Sequence, residues 1–214
     1  MKTAYLLASL SVCLLFLAAH THTRAQDTGN VGENIVRGNI VCIEINAQGN
    51  AQVSEDFIEC TGLVYLLGVD GRIYSIHGSV EEMEKISASS KTRMGYRLPL
   101  RLKGTQTGHQ RAWRLYTQEL GGDEADTANV TITGKVMCLF PNYRDGSIDP
   151  MVATEPCNEH EDHAHLIYTK DAKTYAVHGP YEKIVEIEQS SKRENVTITG
   201  KVQGNQGGWI IYVN

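Results

Sequence analysis

The fold is decided by the stretch Asn195-Val-Thr-Ile-Thr-Gly-Lys-Val-Gln-Gly-Asn-Gln-Gly-Gly-Trp-Ile-Ile-Tyr-Val-Asn214. Apolar and polar residues alternate from Val196 to Val202, as they do in a strand with one buried face. A turn rich in glycine and asparagine then leads into a second apolar run, Trp209–Val213. The stretch therefore predicts two consecutive strands joined by a turn.

The same pattern occurs once before in the chain. Leu98-Pro-Leu-Arg-Leu-Lys-Gly104 is followed by Trp113-Arg-Leu-Tyr116. The step from glycine to tryptophan is nine residues in both places, from Gly104 to Trp113 and from Gly200 to Trp209. A tyrosine follows each tryptophan three residues later. Self-similarity at this scale indicates an internal duplication of one structural unit.

The first 25 residues are typical of a secretory signal peptide. Lys2 precedes an apolar run, Leu6–Ala19, and Thr23-Arg-Ala25 has the small residues of a cleavage site before Gln26. The run is short for a membrane span, and the sequence shows no second long apolar run. We therefore expect no transmembrane segment and a periplasmic or extracellular location. At 214 residues the chain can form one large or two small domains.

Four cysteines remain after the predicted signal: Cys42, Cys60, Cys138 and Cys157. An even count in an exported chain predicts disulfides, and the two nearly equal separations suggest one per unit, Cys42–Cys60 and Cys138–Cys157. Loops of this length give roughly 3 kcal/mol of stabilisation when closed. A thiolate metal site is the alternative, and the lack of Cys-x-x-Cys disfavours a redox pair.

Comparison of the two copies gives the domain organisation. The matched positions are Gly38 and Gly134, Cys42 and Cys138, Cys60 and Cys157, Tyr74 and Tyr175, and His77 and His178. We predict a flexible lead-in over 26–34, unit one over 35–118, an acidic Gly-containing linker over 119–128 and unit two over 129–214.

Each unit has the element order strand, strand, strand, helix, strand, strand. Ser79-Val-Glu-Glu82 has the spacing of a capping box at the start of the first helix. Pro180 fits the first position of the second helix. The order is that of the OB-fold, a five-stranded barrel. The sequence thus predicts a mainly β protein of two tandem OB-fold-like five-stranded barrels, each with one helix between strands three and four.

Unit two carries a recognisable set of motifs. Val130-Thr-Ile-Thr-Gly-Lys-Val136 is followed by a Cys/His loop, Lys173-Thr-Tyr-Ala-Val-His-Gly179, a helix, and Val196-Thr-Ile-Thr-Gly-Lys-Val202. This pattern, over 130–213, resembles small exported bacterial OB-like domains, and unit one is similar to a diverged copy. The resemblance implies the barrel fold and an exported location. It implies no particular activity.

The Cys/His loop of unit two has no counterpart in unit one. It reads Cys157-Asn-Glu-His-Glu-Asp-His-Ala-His165 and predicts a metal site made by His160, His163 and His165. Clustered imidazoles suit one transition metal ion, namely zinc, copper or nickel. If Cys157 is not bridged, a Cys/His site becomes available. A solvated polar loop is the alternative.

His178 is considered as one further ligand, because it lies beside the Cys/His loop in sequence. His178 and His77 also recur at equivalent positions, each before a glycine at the end of a strand. Recurrence within one chain favours a shared structural role instead, such as a hydrogen bond to a backbone carbonyl. Both interpretations are kept at this point.

Basic residues are concentrated in the second half of unit one. We consider an anion-binding patch made of Arg93, Arg97, Arg101, Lys103, Arg111 and Arg114. An acidic polymer would suit such a patch, and an ordinary solvated edge is the alternative. The net charge of −5 and the predicted export argue against nucleic acid. Asn129-Val-Thr131 and Asn195-Val-Thr197 match the glycosylation sequon.

Three functions follow from these patterns. The leading expectation is a non-catalytic exported module that binds a protein partner or joins a larger assembly through two disulfide-bonded barrels. The second is a transition-metal-binding protein that uses the Cys/His loop. The third is a metal-dependent enzyme, which is disfavoured because no nucleophile elbow, phosphate loop or zinc-protease motif is present. The sequence therefore predicts a protein that is not an enzyme.

Overall fold

A computed structural model describes most of the chain beyond residue 31. The described residues are 32–54, 60, 62–91, 100–117, 129–142, 144, 147–151, 157, 163–191, 193–205 and 208–214. The predicted signal peptide, the inter-unit linker 119–128 and His160 lie outside this set. No helix among the described residues is long and apolar enough to cross a membrane.

The strands of the two units follow the same order. Unit one contains β1 (Gly32–Ile45), β2 (Ala51–Val53), β3 (Leu63–Gly68), β4 (Ile73–His77), α1 (Val80–Lys91), β5 (Leu100–Thr107) and β6 (Trp113–Tyr116). Unit two contains β7 (Asn129–Asn142), β8 (Ser147–Met151), β9 (Ala164–Thr169), β10 (Thr174–His178), α2 (Tyr181–Glu188), a 3₁₀ turn (Arg193–Asn195), β11 (Val196–Asn205) and β12 (Gly208–Val213).

Both units close into five-stranded barrels. In unit one the strand order is β1-β3-β4-β6-β5, and β5 pairs back with β1. In unit two the order is β7-β9-β10-β12-β11, and β11 pairs back with β7. The β4–β6 and β10–β12 pairs are parallel, and each barrel has its helix between its third and fourth strands. The predicted architecture is therefore confirmed. The short strands β2 and β8 each pair with the first strand of their barrel.

The repeated glycines mark equivalent close approaches between strands. A Cβ built on Gly104 would lie 2.4 Å from the carbonyl oxygen of Tyr116. A Cβ built on Gly200 would lie 2.3 Å from the carbonyl oxygen of Tyr212. A side chain at either position would require the neighbouring backbone to move. This explains why the glycine of the repeated pattern is retained in both copies.

The helices begin close to where the sequence predicts. Ser79 Oγ accepts a hydrogen bond from the backbone N–H of Glu82 at 3.2 Å, which is half of the capping box. Met83 and Ile86 are buried on the inner face of α1. Pro180 occupies the N-cap of α2 in extended conformation, so the helix begins one residue later than predicted.

The two barrels share a hydrophobic core. One cluster joins β1, β3 and β4 of unit one to β7, β8, β9 and β10 of unit two. Its members are Val41, Ile43, Leu63, Tyr65, Leu67, Ile73, Met137, Leu139, Ile148, Ala164, Leu166 and Ala176. Polar contacts accompany it, such as the hydrogen bond from Lys135 Nζ to Asn50 Oδ1 at 2.9 Å. Asn205 Nδ2 donates to the Gly78 carbonyl at 3.0 Å. The barrels therefore pack against each other.

Two predictions need correction at this level. β1 begins at Gly32, and Gly32–Asn34 pair with β5, so these residues are not part of a flexible lead-in.

Cys42 and Cys60 form the predicted disulfide, with Cα atoms 5.9 Å apart. Cys138 and Cys157 are both buried free thiols, so the predicted disulfide of unit two is absent.

The predicted anion patch is also not one surface. Its members were Arg93, Arg97, Arg101, Lys103, Arg111 and Arg114, and the first two lie outside the described residues. Arg111 is buried, and Arg114 stacks over Tyr212 with its Cζ 5.2 Å from the ring centroid. Lys103 is exposed and ion-paired with Glu33 at 2.6 Å. Of the four described members, only the exposed residues Arg101 and Lys103 remain available to such a surface.

Candidate metal site

A buried group of sulfur and imidazole ligands lies in unit two. Cys138 on β7 is paired in register with His165 on β9, and His163 directly precedes β9. Because side chains two residues apart in extended chain lie on the same side, His163 and His165 were expected to be neighbours. Their ring centroids are 4.6 Å apart. The ligand atoms of Cys138, His163 and His165 all lie within 4.8 Å of one another.

A second thiol approaches the same group. Cys157 Sγ lies 3.5 Å from His163 Nε2, and the backbone N–H of Cys157 donates to the Glu188 carbonyl at 2.9 Å. Phe140 stacks on the His163 ring with centroids 4.8 Å apart and an interplanar angle of 21°. These contacts fix the position of the thiol and the orientation of the imidazole.

The carboxylate of Glu188 completes the group. Its Oε1 lies 3.1 Å from His165 Nε2 and 3.6 Å from His163 Nε2, while Oε2 accepts a hydrogen bond from Arg111 Nη1. Although Glu188 Oε1 and His165 Nε2 are 3.1 Å apart, the contact does not have the geometry of a hydrogen bond. Within the described part of the chain, neither of these buried atoms has a hydrogen-bond partner. Buried polar atoms without a hydrogen bond are rare, and both of these atoms can act as metal ligands.

A second guanidinium closes the other side of the group. Arg193, in the 3₁₀ turn after α2, is 1% exposed. Its Nη1 donates to the carbonyl oxygens of Ile187 and Glu188, and its Nη2 donates to Cys138 Sγ at 2.6 Å. The backbone carbonyls at the end of α2 therefore hold a fixed positive charge against the Cys138 sulfur.

Burial controls the protonation of the group. Burial lowers the pKa of His165 well below its usual value, and the charges of His163 and Arg193 lower it further. Burial raises the pKa of the Cys138 thiol to about 12, an effect that Arg193 partly opposes. Burial also raises the pKa of Glu188, against the ion pair with Arg111. The His165 imidazole is thus neutral, which is the form that binds metals.

The geometry differs from that of a Cys–His–carboxylate catalytic triad. In a triad the nucleophile and the carboxylate contact opposite nitrogens of the imidazole ring. Here Cys157 Sγ and Glu188 Oε1 both approach Nε2 of His163. The donor atoms therefore converge on one point, as metal ligands do.

The structure brings some of the predicted site residues together and places others elsewhere. His163 and His165 are brought together as expected, and His160 lies outside the described residues. His178 belongs to a separate buried cluster between the barrels, so it is not a further ligand of this group. Its Nε2 lies 2.7 Å from Ser75 Oγ, and its Nδ1 lies 3.2 Å from the Ala112 carbonyl. The structural interpretation of this histidine is confirmed.

The second cluster forms a hydrogen-bond chain. Ser75 Oγ also lies 2.8 Å from His77 Nε2. Because the Ala112 carbonyl only accepts, we assign the proton of His178 to Nδ1, and its Nε2 then accepts from the Ser75 hydroxyl. His77 Nε2 in turn donates to Ser75. The two repeated histidines thus connect the barrels through one serine.

Three residues around the metal site are not predicted there by the sequence, namely Arg111, Glu188 and Arg193. Cys138 is predicted in a disulfide, with a thiolate metal site as the alternative, and Arg111 is predicted in a surface patch. Glu188 carried a usable signal, because it follows Ile184 by four residues and so lies on the apolar face of α2. Arg193 has no sequence signal that we can identify. Comparison with family models, with curated proteins and with solved structures found no match to the chain.

Proposed function

We propose that the protein is an exported transition-metal-binding protein whose site is built by Cys138, His163 and His165 of unit two. The convergence of one sulfur and two imidazole nitrogens within 4.8 Å carries this proposal. The lack of hydrogen-bond partners at His165 Nε2 and Glu188 Oε1 supports it independently. The chemistry of the donor set, thiolate with imidazole, is that of zinc and copper sites.

Two contacts beside the three ligands have about the spacing of atoms bound to one ion. Metal–nitrogen bonds of about 2.0–2.1 Å and metal–sulfur bonds of about 2.3 Å place the ligand atoms of a tetrahedral site roughly 3.3–3.6 Å apart. Cys157 Sγ is 3.5 Å from His163 Nε2, and Glu188 Oε1 is 3.1 Å from His165 Nε2. Cys157 and Glu188 are therefore both candidates for a fourth position.

Burial favours a binding role over catalysis. The side chains of His163 and His165 are fully buried, whereas a catalytic metal keeps one position open to water or substrate. The Cys42–Cys60 disulfide supports export to an oxidising compartment. A protein partner, a larger assembly or an acidic polymer remain predictions from the sequence.

Substitution of the ligands tests the proposal. The mature chain is defined as the chain without its predicted signal peptide, residues 26–214. This chain and its variants Cys138→Ser and His163→Ala/His165→Ala are dialysed against Zn²⁺ or Cu⁺ and analysed for bound metal. We expect stoichiometric binding by the mature chain and loss of binding by both variants. Cys42→Ser/Cys60→Ser is the matched control, because it removes two cysteines and leaves the site intact. Equal metal content in the mature chain and the ligand variants would refute the proposal.

A further inference from the structure

The ligand types suit both zinc and copper. Structural zinc sites are almost always four-coordinate, and catalytic zinc sites have three protein ligands and an open position. Cys138, His163 and His165 supply one sulfur and two imidazoles, and a trigonal His₂Cys set is characteristic of copper. Soft thiolate ligands favour monovalent copper and zinc alike, so the charges around the site must distinguish the two ions. Glu188 is the nearest oxygen ligand, and its other oxygen is held by Arg111.

The fixed charges around the ligands favour a monovalent ion over a divalent one. Arg111 and Glu188 form an ion pair, so together they contribute no net charge. Arg193 forms no ion pair with a carboxylate among the described residues, and it donates instead to Cys138 Sγ and two backbone carbonyls. With both imidazoles in the neutral form that binds a metal, the buried group therefore carries one positive charge in excess, which a Cys138 thiolate would balance.

A divalent and a monovalent ion differ by one charge in this environment. When either ion replaces the proton of Cys138, that proton leaves to solvent and the thiolate neutralises Arg193. Zn²⁺ then adds two positive charges to a buried, low-dielectric site, and Cu⁺ adds one. If Cys157 also binds as a thiolate, the group with Cu⁺ becomes neutral and the group with Zn²⁺ keeps one positive charge.

From the ligand set and the charge count, we propose that the ion is copper in its monovalent state and that Arg193 sets the preference for Cu⁺ over Zn²⁺. This inference rests on the proposed metal-binding function. Arg193 acts as a positioning and selectivity residue. It holds the Cys138 sulfur through Nη2, and its charge disfavours the divalent ion.

Paired substitutions at Arg193 separate charge from packing. Arg193→Gln removes the charge, and Arg193→Lys keeps it with a different hydrogen-bonding geometry. Affinities for Cu⁺ and Zn²⁺ are measured anaerobically on the mature chain, with each ion buffered by a competing chelator. We expect Arg193→Gln to lower the ratio of Cu⁺ to Zn²⁺ affinity at least tenfold relative to the mature chain. Arg193→Lys should stay within threefold of it.

The outcomes distinguish the two proposals. Failure of the mature chain to bind either ion overturns the proposed function and this inference with it. Preferential binding of Zn²⁺, or an unchanged affinity ratio in Arg193→Gln, overturns only the inference about copper. If Arg193→Gln does not fold, competition between Cu⁺ and Zn²⁺ for the mature chain shows which ion the site prefers. One Cu⁺ per chain in the presence of tenfold excess Zn²⁺ supports copper, and a zinc-loaded chain overturns it.

Discussion

Cys157 Sγ lies 3.5 Å from Nε2 of His163, although its equivalent in unit one, Cys60, is bonded to Cys42. The two copies therefore use equivalent cysteine pairs in different ways. In unit one the pair closes a loop covalently. In unit two both thiols are free and buried, and an inserted segment places imidazoles beside them.

The state of the thiols is directly measurable. We expect alkylation of the denatured, unreduced mature chain to modify Cys138 and Cys157, because Cys42 and Cys60 are the bridged pair among the four described cysteines. Peptide mapping by mass spectrometry identifies the modified sites. Detection of a Cys138–Cys157 linked peptide as the main species would contradict the structure.

The two cysteine pairs should also differ in their effect on stability. Replacing Cys42 and Cys60 by serine should lower the free energy of unfolding by roughly 3 kcal/mol, because the unfolded chain loses a covalent constraint. Reduction of the Cys138→Ser/Cys157→Ser variant with a thiol reagent should cost a similar amount, since its unit-one disulfide is intact. Urea titration with and without reductant measures both effects. No response to reductant in that variant would argue against the Cys42–Cys60 bond.

The ion pair between Arg111 and Glu188 should contribute strongly to stability. Both side chains are buried, so Glu188→Gln leaves the Arg111 charge without its partner. Removal of one partner from a buried pair typically costs about 3–5 kcal/mol. Lys85→Ala is the matched control, because it breaks the exposed pair with Glu81, and it should change stability far less. Equal effects of the two variants on urea unfolding would contradict this assignment.

The histidine cluster between the barrels predicts acid sensitivity. Burial lowers the pKa of His77 to about 3, and it lowers that of His178 well below its usual value; the charge of Arg114 contributes to both. The unfolded chain therefore binds protons below about pH 6.5 that the folded chain does not. The stabilisation that depends on the two neutral histidines is complete above this pH and is lost as the pH falls toward 3. Each histidine contributes up to about 1.4 kcal/mol per pH unit.

The buried His165 of the metal site also contributes to that slope, so a variant is needed to isolate the cluster. His77→Gln/His178→Gln should unfold with a smaller dependence on pH between 6.5 and 4 than the unsubstituted chain. Unfolding by urea at several pH values measures this difference. His109 also lies near His178 and affects its charge balance, so it is kept unchanged. An identical pH slope in the variant would mean that these histidines are not buried as neutral groups.

The fold was largely predictable because the chain is a duplication. Alternation in Val196–Val202 and the repeated spacing from Gly200 to Trp209 reflect local requirements of strands, and the second copy repeats them independently. The site was only half predictable. His163 and His165 are two residues apart, so their proximity follows from extended backbone.

The remaining members of the site depend on how the barrel closes. Arg193 reaches Cys138 across 55 positions of sequence, and Arg111 reaches Glu188 from the other unit. No local pattern encodes such contacts. The disulfide prediction for Cys138 failed because equivalence between repeats indicates position and not chemistry.

Elemental analysis of the mature protein, purified without an affinity tag or chelator, is the sharpest test of the metal site. We expect one transition metal ion per chain, retained through gel filtration and absent from His163→Ala/His165→Ala. A metal-free chain that also fails to take up Zn²⁺ or Cu⁺ under reducing, anaerobic conditions would contradict this expectation. The converging thiols and imidazoles of unit two would then serve packing alone.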